Sequence, residues 1–155
     1  MNERDRLVIE QACARLATAF HVHIDAFEHE EILALFAEDA RWIHPMAGPL
    51  KGHAEIKAYL DSKSRKPTAQ HITTNILIDV VDENHARGRC YYTFYYDGEG
   101  RDPAPLNGPM AVGQYRDEYV RTPDGWRFSF RHPKNLFMGA DFGNVIVRKS
   151  DERAA

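Results

Sequence analysis

Cysteine is nearly missing from this 155-residue chain: Cys13 and Cys90 are the only two. Both lie in apolar-patterned segments, and two thiols make neither a disulfide framework nor a zinc cluster. A basic excess is also missing. Lys plus Arg number 20 against 23 Asp plus Glu, a net charge of −3, which argues against a nucleic-acid binder, with its basic excess concentrated on one face. The longest apolar runs, such as Ile76–Ile78, fall far short of the ~20 residues of a membrane-spanning helix. The opening residues Met1–Arg6 are charged, with no apolar signal-peptide stretch behind them. Nowhere is there a Gly-x-Ser-x-Gly elbow, a phosphate-binding glycine loop, a dinucleotide fingerprint or a repeat. What is present is a 43% hydrophobic, 11% aromatic composition at the usual size of one domain. The expectation is a cytoplasmic protein with no nucleic-acid or membrane partner.

Periodicity divides the chain in two. Val8, Ile9, Ala12, Cys13, Leu16, Phe20, Ile24 and Phe27 recur at three- and four-residue steps and predict a first helix. Glu30 to Ala37 reads as a second short helix, acidic at its start. Arg41–His44 is strand-like, Gly48-Pro49 turns the chain, and Gly52–Leu60 makes a third helix. After residue 68 the period becomes two. Strands are expected from His71 to Val80, Gly88 to Tyr96, Met110 to Arg121 and Trp126 to His132, with a loop over Asp97–Gly108 and a hairpin turn at Thr122–Gly125. Helices followed by long antiparallel strands spell an α+β fold, a cone-like curved sheet wrapped over the N-terminal helices. One domain is expected over residues 1–140, with 141–155 as a C-terminal tail. The hollow between sheet and helices is the place for chemistry.

Two side chains stand out there. Asp25 ends an apolar helical stripe and His71 opens a long strand. An Asp that accepts the proton of one imidazole nitrogen leaves the other as a base. Read from the residues alone, Asp25 is equally a helix-end polar group and His71 a solvated histidine. His21, Asp25 and His29 stand at i, i+4 and i+8 and suggest a metal-binding face. The histidines read more simply as polar helix-face residues, and no metal is expected. Cys90 reads as packing. Tyr91, Tyr92, Tyr95 and Tyr96 either lend hydroxyls to a pocket or pack the sheet. Arg131 is either an anion clamp or a surface cation.

The segments Phe36-Ala-Glu-Asp-Ala-Arg-Trp42, Leu50-Lys-Gly52, Gln70-His71 followed by Asn75, Gly113-Gln-Tyr-Arg-Asp-Glu-Tyr119 and Asp124-Gly-Trp-Arg-Phe128, in that order, resemble the SnoaL-like branch of the nuclear-transport-factor-2-like superfamily. The resemblance spans residues ~5 to ~135. Its cofactor-free lyases, scytalone dehydratase, hexachlorocyclohexane dehydrochlorinase and bile-acid 7α-dehydratase, carry an Asp late in the first helical region and a His early in the following long strand. Asp25 and His71 fall at those places. The resemblance implies a cofactor-independent lyase in which His71, polarised by Asp25, takes a carbon-bound proton from a small hydrophobic cyclic substrate. Arg131 would stabilise the departing anion, and Phe20, Trp42, Asn75, Tyr92 and Tyr95 would shape the pocket. Five residues before the Asp the dehydrochlorinase has a Lys and the bile-acid dehydratase a Tyr; Phe20 stands there in this chain and can donate nothing. The same base could serve an isomerase or cyclase, and without the helper the protein could be a non-catalytic ligand binder.

Strict alternation along the His71 strand sets Thr73, Asn75 and Leu77 beside it, and Ile72, Ile76, Ile78 and Val80 on the other face. If the histidine lines the hollow, that isoleucine face is exposed, and a homodimer or homotrimer is expected to cover it.

Overall fold

The first apolar stripe forms α1 (Glu3–Asp25), capped by the Asn2 side chain, which accepts the Asp5 amide at 2.9 Å. Ile9, Cys13, Leu16, Ala17, Phe20 and His21 are its buried face. The helix ends in a Schellman turn. The Phe27 amide donates to the Ile24 carbonyl and the Glu28 amide to that of His23. Phe27 sits there at φ 56°, where glycine is usual. The computed structural model describes residues 1–140, so the tail expected at 141–155 lies outside them.

Next come α2 (His29–Ala34), β1 (Phe36–His44), β2 (Gly48–Lys51) and α3 (Gly52–Asp61), then β3 (Thr68–Val80), β4 (His85–Asp97), β5 (Ala111–Thr122) and β6 (Gly125–Met138). The six strands form one curved, unclosed sheet in the order β2-β1-β6-β5-β4-β3. The fold is α+β with the helices N-terminal, as the alternation predicts. Three details differ from that reading. Phe36 and Ala37 belong to a strand, not to the second helix, because β6 claims the backbone there: the Phe128 amide donates to the Leu35 carbonyl at 2.8 Å. β1 and β6 run parallel, the one departure from an antiparallel sheet among the described strands. Gly48-Pro49, read as a turn, instead opens the short strand β2, which pairs with β1. No helix among the described residues is long and apolar enough to cross a membrane.

β3 also breaks its own alternation. Thr74 pairs with Tyr91 but Leu77 with Arg89, so β3 carries one extra residue between them. Asn75 takes up the bulge at φ 53°. The face flips across it. His71 and Thr73 point toward α1 before the bulge, and Ile76, Ile78 and Val80 point inward after it, where they join the core. Of the isoleucine face expected to lie exposed, Ile72 alone remains so, and Leu77, expected beside His71, turns outward instead. Asn tolerates the left-handed region that β-branched residues resist. Asn75→Ile is expected to cost about 1–2 kcal/mol in urea unfolding, with Asn75→Gly close to neutral. Equal losses in both variants would mean that the side chain, and not the backbone, matters.

Candidate active site

Between α1, α3 and the concave sheet face lies a cavity of about 270 Å³ with a mostly apolar lining. α1 packs on β3, and α3 on β1, α2 and β2, so the two sides of the cavity are carried by separate sets of elements.

Asp25 is the last residue of α1, where the helix dipole disfavours a carboxylate. Donors from β3 offset that. Oδ2 accepts the His71 backbone amide at 2.6 Å and Oδ1 the His71 Nδ1–H at 2.6 Å, with Gln70 Nε2 farther off at 3.4 Å. One carboxylate thus holds both the main chain and the ring of the same residue. The two side chains retain only 11% and 16% of their exposure, and both line the cavity. The imidazole is clamped on both faces, by Phe94 at 4.2 Å and by His21 at 4.7 Å in near-parallel stacking. With Nδ1 committed to Asp25, Nε2 is the open nitrogen.

His21 backs this ring and does not line the cavity. Its Nδ1 hydrogen-bonds Thr73 Oγ1. Burial, and then the nearby charge of Arg131, hold it well below the usual imidazole range, so it is neutral. The metal-binding face weighed from spacing does not form. α1 stops at Asp25, and His29, in α2, pairs with Asp61 at 3.6 Å. Among the described residues no three His, Cys, Asp or Glu side chains are grouped to hold an ion.

Of the other expected site residues, Phe20, Trp42 and Tyr92 line the cavity. Tyr92 crosses β5 where Gly113 leaves room, since a Cβ at Gly113 would lie 2.6 Å from the tyrosine oxygen. It donates to Asn135 Oδ1. Asn75 and Tyr95 stand outside the lining. Asn75 is spent on the bulge, and Tyr95 alternates with Phe94 and Tyr96, the two β4 residues that do line it.

Arg131 is the main correction. It is fully buried (0% exposed) and absent from the cavity wall. Its Nη1 donates to Asp117 Oδ2 at 2.7 Å. Three rings enclose the guanidinium: Tyr115 at 3.7 Å, Phe20 at 4.2 Å and Phe128 at 4.6 Å. Phe20 therefore has a structural reason to be aromatic. It separates a buried cation from the cavity, and a lysine in its place would meet like charge. The two cysteines are buried packing, and burial pushes the Cys13 thiol up to about 12 and Cys90 to about 11, far from a neutral-pH nucleophile. Sequence reasoning missed Phe27, His44, Tyr59, Phe94 and Asn135, all of which line the cavity. Only the positive-φ aromatic at Phe27 is unusual in itself, and no sequence pattern marks it.

Comparison with known proteins places this fold. The model of the SnoaL-like domain family matches residues 5–132. No curated protein matches the sequence. A candidate scytalone dehydratase from Novosphingobium aromaticivorans has a similar structure at 25% identity and a TM-score of 0.74, covering 89% of this chain and 91% of that one. Hexachlorocyclohexane dehydrochlorinase LinA-type3 from Novosphingobium barchaimii shares the fold at 20% identity, with a TM-score of 0.75 and coverages of 89% and 93%. So does an NTF2-like protein with a cystatin-like fold from Novosphingobium aromaticivorans, at 22% identity, TM-score 0.73 and 91% coverage of both chains.

Proposed function

This chain belongs to the SnoaL-like domain family, and on that footing we propose that it is a cofactor-independent lyase whose base is His71. The fold, with dehydratase and dehydrochlorinase neighbours, supports an enzyme of lyase type or a related one. The finer reading is carried by one observation, the 2.6 Å bond from His71 Nδ1 to Asp25 at the wall of an apolar cavity.

His71 Nε2 takes a proton from a substrate carbon held about 3 Å away. The C–H electron pair becomes the new C=C bond, and the group on the adjacent carbon leaves with its own pair, as hydroxide or halide. A departing hydroxide takes the imidazolium proton and becomes water; after halide loss the proton passes to solvent. While the ring is charged, Asp25 stabilises it, and neutral His21 at 4.7 Å adds no like charge. Desolvation by the apolar lining strengthens the Asp25–imidazolium attraction. A cavity of about 270 Å³ suits a small cyclic, mostly hydrophobic substrate.

The test is a panel of cyclic β-hydroxyketones and polychlorinated cyclohexanes in deuterated water, followed by absorbance and proton NMR. The expected result is loss of water or halide from at least one compound. Deuterium entering a substrate that keeps its leaving group would assign an isomerase or cyclase instead. Binding with neither change would assign a non-catalytic ligand binder and overturn the proposal.

A further inference from the structure

His44, at the end of β1, accepts two backbone hydrogen bonds on one nitrogen: the amides of Met46 and Ala47 both donate to Nδ1, each at 3.1 Å. That nitrogen must carry a lone pair, so the proton of the neutral ring sits on Nε2. Nε2 lies 2.6 Å from the Tyr59 hydroxyl oxygen. His44 is therefore the donor in that bond and Tyr59 the acceptor. The hydroxyl's own hydrogen is turned away from His44, and no described side chain or carbonyl receives it.

Tyr59 lines the same cavity as His71, from α3 and not from β3. Its ring is fixed edge-on to Trp42 at 5.6 Å, with the Lys63 ammonium 4.1 Å over its face. Burial pushes its hydroxyl well above the usual tyrosine range, so it keeps its hydrogen at any working pH. Trp42 also lines this wall, and its indole N–H is itself buried. The β1–α3 side of the cavity thus offers the Tyr59 hydroxyl as a donor, whereas the Asp25–His71 side offers a lone pair.

We propose that Tyr59 recognises an acceptor oxygen, a carbonyl in the first instance, on the molecule bound in this cavity. The inference rests on the reading of the cavity as a substrate site and narrows its substrate class. A cyclic ketone or hydroxyketone places its oxygen on Tyr59 and an acidic C–H toward His71. Charge then develops on the oxygen that a preorganised donor already holds. A halogenated hydrocarbon has no strong acceptor for that donor. Water, not halide, is the leaving group this arrangement favours, and His44 serves by fixing which way the tyrosine proton points.

The test compares two ligands of the same shape, 1-tetralone and 1,2,3,4-tetrahydronaphthalene. The ketone accepts hydrogen bonds but donates none, so the His71 lone pair cannot hold it. Binding to the full chain is followed by tryptophan fluorescence. Wild type should bind the ketone more tightly than the hydrocarbon. Tyr59→Phe should weaken ketone binding about five- to tenfold, the size of one hydrogen bond, and leave hydrocarbon binding within about twofold. Equal wild-type affinity for the two ligands would overturn the proposal. So would a ketone preference that survives Tyr59→Phe, or one removed by Asn135→Leu in its place. Binding requires no proton transfer, so this result stands or falls separately from the elimination assay.

Discussion

His71→Gln is expected to slow the elimination by roughly 10²–10⁴-fold, the range for loss of a positioned general base, with little change in the unfolding transition. Glutamine keeps an amide able to meet Asp25 but has no basic nitrogen. Asp25→Asn should fall in the same range for a different reason. The amide nitrogen of Asn would donate to His71 Nδ1, which moves the ring proton to Nε2 and removes the lone pair from the open side. Because the two residues form one device, joined at 2.6 Å, the double variant should be no slower than the worse single one. Rate ratios measured under kcat/KM conditions check this. Multiplicative losses would mean that the two act independently; retained activity in His71→Gln would remove His71 from the reaction, and retained activity in Asp25→Asn would remove Asp25.

Arg131→Met is expected to destabilise the fold by about 3–5 kcal/mol at neutral pH, the cost of leaving one member of a buried ion pair alone. The orphan is Asp117, itself fully buried. Even with Arg131 beside it, burial pushes the Asp117 carboxyl from 3.8 up to about 6. A folded value raised above the unfolded one means that this group's contribution is complete below about pH 4 and is lost as the pH rises through about 6. Without the guanidinium the folded value rises further. The deficit of Arg131→Met relative to wild type, read by urea unfolding, should therefore shrink from pH 7 to about pH 5. Arg131→Met with Asp117→Leu should recover most of the loss, since well-packed apolar replacements of a whole buried pair are commonly neutral or better. The same variant separates two roles. A clamp on a departing anion would lose activity in the folded fraction; a core cation behind Phe20, which the 4.2 Å ring contact makes it, would not. A loss below about 1 kcal/mol at neutral pH would contradict the buried pairing.

The helix that carries Asp25 and the strands that carry His71, Tyr92 and Arg131 were legible as elements, because each is set by neighbours in the chain: steps of three and four in α1, steps of two in β3 to β6. The pairing of Asp25 with His71 was suggested by resemblance, and the residues alone left it open. Their bond joins positions 46 residues apart, and no periodicity reports on such a distance. Alternation also misled wherever the backbone departed from it. One extra residue at Asn75 reversed which isoleucines face inward, since a shift of one position in a strand exchanges its two faces.

By itself, then, the amino-acid sequence determined the α+β order of elements and offered Asp25 and His71 as two positions where a carboxylate–imidazole pair could arise. Tertiary structure alone decided that Arg131 sits inside an aromatic cage, that Phe20 screens it, and that His44 turns the Tyr59 hydroxyl outward. The physical reason is the range of the forces. Secondary structure follows from local sterics and hydrogen bonding a few residues apart, whereas a charge is clamp or core, and a hydroxyl donor or acceptor, only through groups that folding brings up from distant parts of the chain.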